Sequence, residues 1–200
     1  MGLQRYKALF FVVVAVAALL VASPAIQRLL VLPQTDFFTE FWLLGPQHKA
    51  ENYPFNIARN QNYEVFLGIG NNLGQSAYYV VEVKFRNESM SAPDRFHKKP
   101  SSLPSLFSMT VFVADKEVLE QRLTFSLDYE FNSSFSLVNF HSMTLNDETL
   151  SLNGLSSEWN ATTSKFYGNL IFELWIYNEA KSNFDYNERY VDLKLNMTAT

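Results

Sequence analysis

The stretch Ala77-Tyr78-Tyr79-Val80-Val81-Glu82-Val83-Lys84-Phe85-Arg86 decides how this chain folds. Ala77, Tyr79, Val81, Val83 and Phe85 fall on one side and Glu82, Lys84 and Arg86 on the other, the period of two expected of a strand with one buried face. The alternation recurs in both directions. Upstream, Tyr63, Val65, Leu67 and Ile69 make one row. Downstream, Leu123, Phe125, Leu127, Tyr129 and Phe131 are opposed by Thr124, Ser126, Asp128 and Glu130. Phe166, Leu170, Phe172, Leu174 and Ile176 alternate with Glu173, Trp175 and Tyr177, and Val191, Leu193, Leu195 and Met197 with Asp192, Lys194 and Asn196. Asn, Gly and Ser cluster between the rows as turns. Beyond Pro33 only Ala114 to Leu123 offers a short helical spacing, through Val118, Leu119 and Arg122. Roughly seven to nine strands are expected, in an all-β fold of the immunoglobulin-like antiparallel β-sandwich kind over residues 34–200.

The N-terminal part reads differently. Ala8 to Ala22 is uninterrupted apolar sequence. With Ala25 and Ile26 beyond Ser23 and Pro24, it approaches the roughly 20 residues that cross a bilayer. Arg5 and Lys7 precede it, and the positive-inside rule then places residues 1–7 in the cytoplasm and everything after Ile26 outside. The expected organisation is a cytoplasmic stub and one transmembrane helix over residues 1–33, touching membrane lipid through residues 8–26, followed by an extracytoplasmic domain. Pro33 ends the helix, and Pro33 to Asp36 forms a short tether. The localisation that follows is the cell membrane, single-pass, with the C-terminal domain extracytoplasmic. A cleaved signal peptide is the competing reading: Ala22, Ser23 and Ala25 fit its outline, while Pro24 disturbs the A-x-A-like frames.

Composition excludes several functions. The 200 residues include no cysteine, so disulfides, thiolate metal sites and a cysteine nucleophile are ruled out. Lys and Arg number 16 against 20 Asp and Glu, for a net charge of −4, which gives no basic field for nucleic acid. Gly68-Ile69-Gly70-Asn71-Asn72-Leu73-Gly74 lacks the spacing and the following helix of a dinucleotide loop and reads as a strand end and a turn. His48, His97 and His141 are widely separated, without second ligands at zinc spacing. Asp128 and Glu130 share a strand face in the manner of two solvated acids rather than a glycosidase pair. No nucleophile elbow occurs. The expectation is a protein that is not an enzyme, with no catalytic residue, no cofactor and no metal.

Phe38-Thr39-Glu40-Phe41-Trp42-Leu43-Leu44-Gly45-Pro46, followed by Lys49-Ala50-Glu51-Asn52-Tyr53-Pro54, resembles the opening signature of an ectodomain in an archaeal membrane-protein family described only as a domain of unknown function. Glu64 to Asn71, Tyr79 to Val83, Thr144 to Thr149 and Leu170 to Asn178 are similar to later strands of that family, so the likeness spans roughly Phe37 to Met197. Many members carry several N-terminal membrane helices where this chain has one, and the segment from Asn87 to about Glu120 is longer here. The resemblance implies an archaeal membrane protein with an outward-facing sandwich. It implies no substrate.

Asn87 to Ser108, with Pro93, Pro100 and Pro104, reads as a long surface loop that is either mobile or a contact surface. Arg95, His97, Lys98 and Lys99 give it a local positive patch suited to anionic headgroups or an acidic partner. Together with Trp175, which is either covered by this segment or exposed, they are the candidate partner surface. Asn87, Asn132, Asn160 and Asn196 head four N-x-[ST] sequons after the apolar segment and are candidate N-glycosylation sites. The expected function is a membrane-anchored structural or interaction module of the archaeal cell envelope, docking another envelope or membrane protein, including by strand addition. The alternatives are a carbohydrate-binding or adhesion module, which needs exposed coplanar aromatics, and an accessory subunit of a membrane enzyme complex.

Overall fold

The computed structural model describes residues 6, 7, 9–18, 20, 36–134 and 136–198. They belong to two units, Met1–Asp36 and Phe37–Thr200. In the first, residues 6, 7, 9–18 and 20 are helical, and Leu9, Phe10, Phe11, Val12, Val13 and Val16 are exposed. No helix among the described residues is long and apolar enough to cross a membrane. Residues 8, 19 and 21–33 of the expected span, and 34–35 of the expected tether, lie outside the described residues.

The second unit is all β. Its strands are β1 (Phe38–Leu44), β2 (Asn56–Ala58), β3 (Tyr63–Asn72), β4 (Ala77–Asn87), β5 (Phe107–Val113), β6 (Val118–Asn132), β7 (Leu137–Leu145), β8 (Glu148–Ser151), β9 (Ser156–Asn160), β10 (Lys165–Asn178) and β11 (Asn183–Thr198). One hydrogen-bonded path runs β1-β3-β6-β7-β9-β10-β11-β2, while β4 pairs with β10 and carries β5, and β8 pairs with β7. The sheet curls into two limbs joined by β9, whose Ser156, Ser157 and Glu158 pair with β7 and whose Trp159 and Asn160 pair with β10.

The alternating rows explain the curl, because each strand has one apolar side to remove from water. Tyr79, Val81, Val83 and Phe85 of β4 and Leu170, Phe172 and Leu174 of β10 are buried in one cluster with Val65 and Leu67 of β3 and Leu123, Phe125 and Leu127 of β6. Two contacts show that the limbs face each other. Phe85 meets Phe140 of β7 edge to face, with ring centroids 4.8 Å apart. The Tyr79 hydroxyl lies 3.0 Å from Thr39 Oγ1 of β1. At one end the Tyr129 hydroxyl of β6 lies 2.6 Å from the Ile57 carbonyl of β2 and 2.9 Å from that of Thr198 on β11.

Three expectations are corrected. Ala114 to Leu123 is not helical: Lys116 turns the chain at φ 61°, and Val118 opens β6 opposite Gly70. The ladder offered by the neighbouring β3 overrides a local spacing of three residues. Six strands, β1, β2, β5, β7, β8 and β9, lie beyond the expected rows and bring the total to eleven against the seven to nine expected; of these, β2, β8 and β9 have 3, 4 and 5 residues, too few to reveal an alternation. The supposedly wet sides are also partly dry. Lys84, Glu173 and Asn196 are exposed by only 3%, 0% and 7%.

Burial has a consequence at alkaline pH. It pushes the Tyr79 and Tyr129 phenols above their ordinary value, outweighing the hydrogen bonds that oppose it. A raised folded-state pKa makes the native chain hold protons that the unfolded chain releases near pH 10, so stability falls as pH rises past that point. The melting temperature is therefore expected to hold steady between about pH 7 and 9 and to drop above about pH 10. Tyr79→Phe is expected to make that drop smaller in the same scan.

Candidate functional site

The outer faces of β4, β10 and β11 carry the side chains that pattern alone assigns to water. Residues 88–106, between β4 and β5, lie across part of them. The Lys84 ammonium lies 2.8 Å from Glu173 Oε2 and 3.0 Å from Glu82 Oε2. The second Glu173 oxygen accepts the Ser101 N–H at 2.7 Å. Two carboxylates, one ammonium and a backbone amide from the long segment thus form a cluster that is buried at Lys84, Glu173 and Ser101 and half-buried at Glu82. Its geometry satisfies the Glu173 charge, which would otherwise be costly to place beyond the reach of water. Nearby, the Tyr186 phenol is pushed well up by burial, with the negative charge of Glu173 adding to it.

The positive patch lies against this face and stays largely exposed, with the Arg95, His97 and Lys98 side chains at 73%, 64% and 63%. Arg95 donates to the Tyr190 hydroxyl at 2.9 Å, stacks over the same ring and lies 3.8 Å from Asp192. Lys98 pairs with Glu188 at 2.6 Å. His97 meets Asp94 at 2.5 Å, and these contacts, with the His97 backbone N–H first among them, hold the Asp94 carboxyl below its ordinary range. Lys99 contributes its backbone to a two-bond bridge with Asp94. Through these contacts the segment lies against β10 and β11 with its basic side chains exposed. Trp175 is half-buried, edge-on to Tyr186 with centroids 5.4 Å apart, and its indole N–H finds no acceptor among the described residues.

At the other end of the same face is a feature that no single stretch of sequence displays. Tyr78 of β4 faces Phe112 of β5 in register, and Tyr177 of β10 faces Phe184 of β11. Ile176 pairs with Tyr79, so the two pairs stand in one cross-strand row, Phe112-Tyr78-Tyr177-Phe184. The row spans about 14 Å at normal strand spacing. Phe112, Tyr78 and Tyr177 are 57%, 50% and 41% exposed. Their rings are tilted rather than coplanar, at 59° for Tyr78 with Phe112 and 65° for Tyr177 with Phe184. The row ends at β5, which pairs only with β4 among the described strands. Its sequence, Phe107-Ser108-Met109-Thr110-Val111-Phe112-Val113, has no charge, proline or glycine.

A second concavity lies where the sheet fails to close, between β1 and β11. The groove, about 490 Å³, is lined by Phe41, Trp42, Tyr53 and Phe55, with Arg95, Asp192 and Lys194 at its rim. Gly68 makes the Trp42 position available, since a Cβ there would lie 2.1 Å from the indole. The histidines are not brought together: His48 faces Glu120, His97 faces Asp94 and His141 lies 3.7 Å from Glu130. No group of three or more metal-binding side chains occurs among the described residues.

Of the sequon asparagines, Asn87 and Asn160 end strands and are held by hydrogen bonds to Ser156 and Glu88. Asn196, expected on a polar face, is buried between Asn56 and the Phe166 amide, because β2 pairs against that end of β11. Asn132 closes β6 beside the exposed rings of Phe131 and Trp159.

A family model described as a domain of unknown function (DUF1616) matches residues 32–134, more than half of the chain. No curated protein matches it. Among solved structures, a β-glucosidase from Listeria innocua in complex with glucose is similar at 9% identity and a TM-score of 0.37, covering 81% of this chain and 16% of that one. The same enzyme with isofagomine gives 9% and 0.35, covering 80% and 16%. This chain therefore spans about a sixth of those structures' length, and the overlap is too slight to carry fold or activity across.

Proposed function

Since the chain belongs to the family described as a domain of unknown function (DUF1616), we propose that it is a membrane-anchored interaction module of the archaeal cell envelope, whose partner is a protein that adds a strand along β5. The observation that carries this reading is the open β5 edge with the aromatic row running up to it. Edge strands of soluble domains are ordinarily blunted by charge, proline or a bulge, because unpaired N–H and C=O groups template further pairing. β5 has none of these within its seven residues. Strand addition supplies main-chain hydrogen bonds, and the exposed Phe112 and Tyr78 rings supply apolar area beside them.

The anchor is part of the proposal. Its support is the apolar run from Ala8 with Arg5 and Lys7 before it, and the helical residues 9–18, whose large apolar side chains are exposed. An immunoglobulin-like sandwich belongs to it as well. The limb β5-β4-β10-β11-β2, with its parallel β11–β2 pair, favours that architecture. The departure is that β6 and β7 follow β3 as a meander, where the immunoglobulin order of strands along that sheet is A-B-E-D.

The absence of cysteine makes the test clean, since one introduced thiol is unique. Thr110→Cys, at an exposed position of β5, is expected to react with a membrane-impermeant maleimide in intact host cells and to cross-link one protein in stoichiometric yield. A cysteine at Asn153, in the exposed loop after β8, is the control and is expected to be labelled without that cross-link. Phe112→Ala is expected to weaken the association about tenfold or more. Equal cross-linking from both positions, or an unaltered partner with Phe112→Ala, would sink strand addition. Labelling only after lysis would sink the orientation. A second reading, a carbohydrate-binding module, draws on the groove of Trp42, Tyr53 and Phe55 with Asp192 and Lys194. It predicts saccharide binding that Trp42→Ala abolishes and Phe112→Ala leaves intact.

A further inference from the structure

We propose that Asn132 is an N-glycosylation site whose first sugar lies against the exposed aromatic cluster of Phe131, Trp159 and Phe166. The four sequons differ in what holds their carboxamides. Asn87 Oδ1 accepts from Ser89 N, Ser89 Oγ and Met90 N, while its Nδ2 donates to the Ser156 carbonyl at 2.7 Å. Asn160 Oδ1 accepts from the amides of Thr162 and Thr163, and its Nδ2 donates to Glu88 at 2.9 Å. Asn196 is 7% exposed and spans Asn56 and Phe166. Each of the three fixes local structure. The Asn132 carboxamide makes no hydrogen bond among the described residues.

Asn132 is itself part of the wall of a shallow surface groove of about 290 Å³ that also includes Phe131, Leu137, Trp159 and Phe166. The ring centroids of Trp159 and Phe166 are 4.9 Å apart, and those of Phe131 and Phe166 are 5.4 Å apart. Trp159 remains 43% exposed and Phe131 38%. Such a cluster offers apolar contact area to a group attached beside it. A pyranose attached at Asn132 Nδ2 arrives without diffusing, since its attachment point stands at the groove's wall. Its C–H face is apolar and its rim carries the hydroxyls, which matches an aromatic floor open to water. Attachment forms one C–N bond between the sugar's anomeric carbon and Nδ2, with a lipid-linked pyrophosphate as leaving group and one Nδ2 proton lost.

This inference rests on the extracytoplasmic reading, and its test separates the two. The full chain would be produced in a eukaryotic secretory host, alongside an Asn62→Thr variant that turns the exposed Asn60-Gln61 turn into a control sequon. Glycopeptide mass spectrometry is expected to find Asn132 occupied, Asn196 bare and the Asn60 control occupied in its variant. Trimming the glycan enzymatically is expected to lower the melting temperature of the native sequence by about 2–4 °C. That difference is expected to vanish in Trp159→Ala, with Asn132 occupancy unchanged. A bare control sequon means the domain was not exported and overturns the extracytoplasmic reading on which this inference stands. An occupied control with a bare Asn132 overturns the site alone. An occupied Asn132 whose trimming shifts Trp159→Ala as much as the native sequence overturns the stacking and returns the aromatic cluster to the role of a partner surface.

Discussion

Lys84→Met is expected to lower the stability of the β domain by about 3–5 kcal/mol. The side chain is 4% exposed and stands between Glu82 and Glu173, so its loss leaves the fully buried Glu173 carboxylate without a counter-ion. A buried charge stripped of its partner costs far more than the pair ever contributed. The double variant Lys84→Met with Glu173→Gln separates these two quantities. Glutamine keeps an oxygen for the Ser101 N–H and removes the charge, so the double variant is expected to regain most of what the single one loses. Urea unfolding followed by tryptophan fluorescence reads both. A loss below about 1 kcal/mol for Lys84→Met would mean that the cluster is open to water, as surface pairs are.

Phe140→Ala is expected to cost a similar amount, about 3–5 kcal/mol, for a different reason. Phe140 is 2% exposed and touches Phe85 on the opposing limb and Tyr129 on its own. Removing the ring forfeits its transfer from water and leaves a cavity between two strands that cannot collapse independently. Phe112→Ala serves as the internal comparison. That ring is 57% exposed, and its truncation is expected to change stability by no more than about 0.5 kcal/mol. Equal costs at the two positions, in the same urea titration, would contradict the packing of one limb against the other.

What was legible in the sequence was whatever repeats along a single strand. The rows of Tyr79 to Phe85, Val65 to Ile69 and Leu170 to Ile176 are properties of consecutive residues, and the core is built from them. Features that depend on which strand lies beside which were not legible. Glu173 and Lys84 are 89 residues apart, and nothing local marks them as partners or places Ser101 over them. Tyr78, Phe112, Tyr177 and Phe184 become a row only through the registers of β4 with β5 and β10 with β11. The loop from Asn87 is legible as long and irregular, but its prolines and charges give no hint that Arg95 and Lys98 end on Tyr190 and Glu188. Asn196 read as polar-face because alternation cannot anticipate a parallel neighbour such as β2.

That parallel pairing also sets an order in time. Asn56 must wait for Asn196, a separation of 140 residues, before β2 acquires its neighbour. β1 and β3 have each other as soon as residue 72 has been made, and β6 and β7 follow along the same limb. β2 has no such early option, and closing so long a loop is slow as well as entropically unfavourable. A chain interrupted before Asn196 would have its other ladders available and leave β2 without a strand beside it. The domain can therefore begin to fold during its own synthesis, but β2 cannot close its ladder until β11 has been made.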